Sequence, residues 1–221
     1  MKWINEFLKS KIPFYIYKLR KNDSIVYTEE HNNTSIIILY GIAYILKTFT
    51  NKESITLAIL ESGNIIHNYK PSTNYYYKII AITNIFLLSF QLKDILNLKN
   101  YSNHQTFSKF IKLYNKTEKR YEMMHSVLAH KYIKNRLIQL ILNLSQNFGI
   151  IKEKQIIIPY YISQINISII TGSNRTNINK ILKTFYFDKY IEYSKNKHIC
   201  IKEPIKLIVS VHLNKTKNQA L

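Results

Sequence analysis

Gln164-Ile165-Asn166-Ile167-Ser168-Ile169-Ile170-Thr171-Gly172-Ser173-Asn174-Arg175-Thr176-Asn177-Ile178-Asn179-Lys180-Ile181 is the stretch that decides the fold. Two helices joined at a steep angle need a small residue where they touch, a turn residue that tolerates positive φ, and apolar residues sealing the joint. With Gln164 as position one, Ile167 and Ser168 fall at 4 and 5, Gly172 at 9, and Ile178 and Ile181 at 15 and 18. A chain with only four glycines puts one of them at this turn. The spacing predicts a helix from Ser163 to Ile170, a turn, and a second helix from Ser173 to Phe185. On the second, Ile178, Ile181, Leu182 and Phe185 follow the i, i+3, i+4, i+7 pattern of a buried face. Arg175, Thr176, Asn179, Lys180 and Lys183 fall on the other side, with Ser173 or Asn174 as the cap. An arginine in the first turn of such a helix can pair with guanine O6 and N7 in a major groove, worth about 1–3 kcal/mol of discrimination. These are the residues of a helix-turn-helix.

Outward from that stretch the pattern extends. Toward the C-terminus, Tyr190–Tyr193 and His198–Lys202 flank the polar turn Ser194-Lys195-Asn196-Lys197 and predict a hairpin. Toward the N-terminus, a short strand over Gln155–Ile158 stops at Pro159, and a helix from Tyr132 to Phe148 ends at Gly149. Residues 131–221 are thus expected to form a winged helix-turn-helix, with a frayed tail after Val211. Before it, Phe107, Phe110, Tyr114, Thr117, Tyr121, Met124 and Leu128 alternate 3 and 4 apart. That is the spacing of a coiled-coil seam, here on a dimerisation helix over 102–130. The same stripe would also serve a helix packed on its own domain.

Residues 1–101 carry short β-branched runs, among them Ser35–Leu39, Ile55–Leu60 and two strands within Tyr75–Phe90, bounded by turn formers such as Asn51-Lys52-Glu53-Ser54. A sandwich or jelly roll is expected there, preceded by a short helix over 1–12. The longest apolar run, Ile36–Leu46, is about half the ~20 residues needed to cross a bilayer and reads as a buried strand plus a turn at Gly41. The overall class is α+β, in two or three parts.

Net charge is +19, yet only Arg20, Arg120, Arg136 and Arg175 are arginines. The wealth of Lys, Asn, Ile and Tyr matches codons rich in A and T, so the distribution of charge says more than its sum. Residues 1–130 hold 17 basic and 9 acidic side chains, whereas residues 131–221 hold 15 and 4. The C-terminal part is the better polyanion surface. Seven histidines show no metal-ligand spacing, and no phosphate-binding glycine loop or GxSxG elbow is present, so no enzyme is expected. One cysteine, Cys200, excludes an internal disulfide and suits a reducing compartment. No secretory signal is evident.

Three further groups of residues carry a resemblance. Glu122-Met123-Met124-His125-Ser126-Val127-Leu128-Ala129-His130-Lys131, Asn135-Arg136-Leu137 and Asn147-Phe148-Gly149 are similar to the dimer-helix end and hinge of the CRP/FNR superfamily. Within it, they resemble the cyanobacterial and plastid-encoded global nitrogen regulators (NtcA-like). Gly172-Ser173-Asn174-Arg175 with Ile178, Ile181 and Leu182 resembles that family's recognition helix, and Gly41 with Ile55–Leu60 its barrel strands. The resemblance implies a cyclic-nucleotide-binding-like double-stranded β-helix in the N-terminal half. It implies a homodimeric activator on GTA-N8-TAC palindromes at nitrogen-assimilation promoters, with double-stranded DNA and RNA polymerase as partners and no membrane. It matches Arg175 and Lys180 to base- and backbone-contacting positions, and Ser163, Ser173 and Asn174 to phosphate-contacting ones. The family's 2-oxoglutarate ligands map to Tyr75, Thr117, His67 and Glu122. Both arginines of that pocket are replaced, by Tyr75 and Thr117, so weak or absent binding of this effector is expected and no cofactor. Codon composition and resemblance together point to a plastid stroma. The alternative from another class is a sensor or protein-interaction module that binds nucleic acid through charge alone.

Overall fold

Ile36, Ile37, Ile38 and Leu39 run without a polar break, the mark of a strand covered on both faces. The computed structural model describes residues 2–27, 34–66, 74–96, 103–207 and 209. They divide into two compact units, Met1–Glu122 and Met123–Leu221.

The first unit contains α1 (Lys2–Lys9), β1 (Tyr15–Leu19), β2 (Ser24–Tyr27), β3 (Thr34–Tyr40), β4 (Ile42–Phe49), β5 (Ser54–Glu61), β6 (Ile65–Ile66), β7 (Tyr75–Ala81), β8 (Ile85–Gln91) and α2 (Leu92–Leu96). It also holds most of the long α3 (Asn103–Leu128). Among the described residues the strands form two antiparallel four-stranded sheets, in the orders β1-β8-β3-β6 and β2-β7-β4-β5. Period-two alternation explains the unbroken isoleucine run. Ile36 and Ile38 point into the core between the sheets with Ala43, Ile45, Ile79 and Leu87. Ile37 points the other way, into a second core with Phe7, Leu88, Phe90, Phe110 and Leu113. The jelly roll expected from the sequence is therefore sheet on sheet, with α1 and α3 supplying side chains to a further apolar layer.

Gly41 joins β3 of one sheet to β4 of the other at φ +89°, and an added Cβ there would strike the Asn84 carbonyl oxygen. The run Ile36–Leu46 is thus two strands in different sheets. Tyr44 is wholly enclosed, and burial pushes its phenol up to about 12.

Much of the predicted dimer seam is covered within the single chain. Phe110, Thr117 and Met124 are 2%, 5% and 2% exposed within a single chain. Phe110 packs against Trp3, Phe7 and Phe90. Tyr114 and Tyr121, half-buried, lean on the two cores of the same unit. Leu128 is also half-buried, and Phe107 alone of the seven is open, at 48%. Periodicity marks an apolar stripe without saying what covers it, and here the stripe is covered largely by the chain itself.

The second unit begins within α3 and continues through α4 (Ile133–Phe148), β9 (Ile150–Lys152), β10 (Gln155–Ile157), α5 (Gln164–Thr171), α6 (Arg175–Phe187), β11 (Ile191–Tyr193) and β12 (Ile199–Ile201). The end of α3 is tied to α4 by Asn143 Nδ2, which donates to the Met123 carbonyl at 3.2 Å. Leu137, Ile141, Ile167, Ile170, Ile178, Leu182 and Phe185 are all buried. Gly149 ends α4 with ordinary extended dihedrals, so its role is space rather than positive φ. A Cβ there would strike the Ser145 carbonyl oxygen and Ile156 Cγ2.

The hairpin expected after α6 belongs to a four-stranded sheet, in the order β11-β12-β10-β9. Sequence reading missed β9. Its three residues are all exposed, and its turn to β10 uses Glu153 and Lys154 at φ +49° and +63° instead of the usual glycine or asparagine. The tail after Val211 lies outside the described residues.

Candidate nucleic-acid interface

Ser163 caps α5, its Oγ accepting from Asn166 N at 3.1 Å. Gly172 ends the helix in the left-handed conformation, φ +64° and ψ +44°. Gly172 N donates to Ile169 O at 3.2 Å and Ser173 N to Ser168 O at 2.8 Å, a Schellman pair that satisfies two of the carbonyls α5 would otherwise leave unpaired. Asn174 then caps α6, its Oδ1 accepting from Asn177 N at 2.8 Å. The cap is therefore Asn174, and Ser173 sits in the turn with a buried Oγ that has no hydrogen-bond partner among the described residues.

This turn fixes what α6 presents. Ile178, Leu182 and Phe185 point inward. Arg175, Thr176, Lys180 and Lys183 are exposed, with Arg175 at the first helical position, where the dipole favours anions. Asn179 is half-buried and accepts from Gln164 Nε2 at 3.3 Å, which ties α6 to the start of α5. Ser163 and Asn174 use their oxygens for capping, which leaves the hydroxyl and amide hydrogens as donors. The hairpin turn after β11 is closed by Ser194 N to His198 O at 3.0 Å and by His198 N to Ser194 Oγ at 3.1 Å, with Lys195 and Lys197 exposed.

Sequence reading gave Arg136 no structural role. From α4 its Nε donates to His130 O at 2.8 Å and its Nη1 to Thr171 O at 3.1 Å. A cation is thereby held at the negative end of α5, beneath the Gly172 turn. The signals in the sequence were the scarcity of arginine and the place of Asn135-Arg136-Leu137 in the family resemblance. Cys200 is buried, and burial raises its thiol pKa first of all, with Glu192 adding to the rise, so it is a packing residue.

The effector residues belong to the first unit. His67 lies outside the described residues. Tyr75 lies under Lys47, whose Nζ is 3.8 Å from the ring centroid, and meets Phe49 and Tyr77 edge-on. Thr117 is buried, with Oγ1 accepting from Ile65 N at 2.9 Å and donating to Leu113 O at 2.9 Å. One turn on, Arg120 is paired with Glu61, which also holds Lys116 at 3.0 Å. Glu122 is exposed. The guanidinium nearest the Thr117 position is already neutralised by the chain's own carboxylate. Among the described residues no group of three His, Cys, Asp or Glu is placed to hold a metal, and no helix is long and apolar enough to cross a membrane.

No family model matches the chain. A protein of Porphyra purpurea named for an HTH-type transcriptional regulator, ycf28, is 31% identical over 207 residues, covering 93% of this chain and 85% of that one. The chain belongs to the family of this HTH-type transcriptional regulator. The global nitrogen regulator of Synechococcus elongatus is 24% identical over 208 residues, covering 89% and 90% of the two chains. The fold agrees with a CooA mutant from Carboxydothermus hydrogenoformans, at TM-score 0.70 and 19% identity over 91% and 88% of the chains. A cyclic nucleotide-binding domain containing protein of Listeria monocytogenes also gives 0.70, at 17% identity over 91% and 95%. The Porphyra and Synechococcus relatives are transcription regulators, and this chain is a transcription regulator rather than an enzyme.

Proposed function

We propose that this regulator is a dimeric, sequence-specific activator of nitrogen-assimilation genes that reads GTA-N8-TAC-like palindromes in a plastid stroma. The observation that carries the reading is Arg175, solvent-exposed at the first position of a helix whose opposite face is locked against α5. Thr176, Lys180 and Lys183 extend the same face, and Ser163, Ser173 and Asn174 surround the turn that a phosphate would approach. Similarity to global nitrogen regulators along most of the chain supports the choice of genes. The Lys-, Asn- and Ile-rich composition supports the compartment. Exposed Phe107 and Ile111, one helical turn apart on α3, support pairing with a second copy, which a two-fold palindrome requires. RNA polymerase is the partner such an activator touches. 2-Oxoglutarate binds weakly or not at all, because Thr117 and Arg120 are engaged within the chain.

The test is competition binding of the full chain to a GTA-N8-TAC duplex and to scrambled DNA. Wild type should keep its preference against excess competitor. Arg175→Ala should lose about 1–3 kcal/mol of discrimination while unfolding at an unchanged temperature. Binding that falls equally for both duplexes as salt rises, with no preference at any salt, would mean attachment by charge alone and would overturn the sequence-specific reading.

A further inference from the structure

Strand β1 stops short of its neighbours, and a cavity of about 390 Å³ lies at the gap. Tyr15 pairs with Ser89 and Ser89 with Ile36, so the row across β1, β8 and β3 is complete there. Two residues on, Gln91 still pairs with Thr34, but β1 does not reach that far. Pro13, next in line, has no N–H with which to continue the ladder. Leu87 lies in the core between the sheets, and Ser89 and Gln91 follow it at steps of two, so they turn to the same face. Tyr15 and Tyr17, paired with Ser89 and Leu87, turn that way as well. Helix α2 follows β8 at once and brings Lys93 and Asp94 to the rim.

The lining is polar and unengaged. Tyr15, Tyr17, Thr34, Ser89 and Gln91 bring four hydroxyls and one amide to the cavity. Neither they nor Lys93 and Asp94 have a side-chain hydrogen bond or an ion pair among the described residues. Ser89 is only 5% exposed, and a buried hydroxyl without a partner costs free energy that a ligand's hydrogen bond would offset. Tyr15 and Tyr17, 71% and 47% exposed, stand open as walls. Tyr75, Thr117 and Glu122 do not line this cavity. Hydroxyls and amides both donate and accept, so they suit a ligand that does the same at many positions. One lysine and one aspartate balance, leaving no net charge on the lining in a chain of +19, which disfavours an anion. The flat apolar face of a tyrosine fits the C–H face of a sugar ring.

We infer that this cavity binds a neutral, hydroxyl-rich small molecule, a mono- or disaccharide. Tyr15 and Tyr17 lie against its ring faces, Asp94 accepts from its hydroxyls, and Lys93, Ser89 and Gln91 complete the hydrogen bonds. The site lies wholly in the first unit and does not rest on the DNA-reading function.

Saturation-transfer NMR of the full chain with glucose, galactose, maltose and sucrose tests it, alongside glucose 6-phosphate and glutamine as anionic and zwitterionic probes. At least one neutral sugar should give saturable transfer. Asp94→Asn should weaken that binding roughly tenfold, since it removes a charged acceptor. Tyr15→Ala/Tyr17→Ala should weaken it by a similar factor, roughly tenfold. Tyr15→Phe/Tyr17→Phe, which keeps the rings and so guards against a folding defect, should lose less. Tyr40→Ala, at an exposed tyrosine elsewhere in the same unit, should leave binding unchanged. No saturable transfer from any of the four sugars overturns the inference. Saturable transfer that is equal in wild type and in the Asp94 and tyrosine-pair variants is adventitious contact elsewhere, and overturns the cavity as the site. Tighter binding of glucose 6-phosphate or glutamine than of every neutral sugar overturns the assignment of ligand class.

Discussion

Helices α3 and α6 each carry one of the chain's four arginines, and the two are treated in opposite ways. Arg120 on α3 is buried and paired with Glu61, while Arg175 on α6 is exposed at the helix start. Both helices also carry an apolar stripe that their spacing announces. On α6 the stripe faces α5 and the polar side is left for a partner. On α3 the stripe is the side the chain covers for itself, and what remains outward is mixed: Phe107 and Ile111 among Lys112, Asn115, Glu118 and Lys119. A scarce residue type or an apolar period marks importance, and only placement tells whether it serves folding or recognition.

The sharpest way to break this contrast is on α3. Phe110→Ala should destabilise the first unit by about 3–5 kcal/mol, because a fully enclosed aromatic leaves a cavity among Trp3, Phe7 and Phe90. Phe107→Ala should shift stability by less than about 0.5 kcal/mol. Chemical denaturation of both variants at several protein concentrations checks this. Equal losses that grow on dilution would return Phe110 to a seam between chains.

A smaller effect is expected at Arg136. Arg136→Met strands the Thr171 and His130 carbonyls and should cost about 1–3 kcal/mol. Because the stranded groups lie beneath the recognition turn, discrimination between palindromic and scrambled DNA should fall as well, although Arg136 itself touches no base. Loss of stability with discrimination intact would make it a purely structural arginine.

The smallest is Gly172→Ala, which forces a side chain into left-handed backbone beside Arg136 Nη1 and should cost about 1–2 kcal/mol. Gly172→Asn should cost less, since asparagine tolerates that conformation. Thermal melts of the two variants compare them directly.

The sequence made local features legible. The cap at Asn174, the left-handed Gly172, the inward Ile178-Leu182-Phe185 face and the hairpin around Ser194–Lys197 all follow from bonds within a few residues of each other. Features that depend on distant partners were not legible. Arg136 reaches across to α5, Arg120 reaches Glu61, and the cover over Phe110 comes from α1 and β8, none of which leaves a trace in spacing. Strand β9 was hidden for another reason: three exposed residues and a glycine-free turn carry no alternation to detect. At the effector positions the substitutions were visible, but not that Thr117 had become a bridge between α3 and β6.

Strand β3 has a consequence for how this gene can change. In a coding sequence rich in A and T, isoleucine is written ATT or ATA, and replacing the middle T by A gives asparagine or lysine. Ile36, Ile37 and Ile38 each face one of two closed cores, so the strand has no tolerant side. Every such transversion there would bury an amide or an ammonium, at a cost of several kcal/mol for the charge. Because isoleucine, asparagine and lysine have neighbouring codons, the heart of the barrel is a single nucleotide away from the residues that crowd the surface.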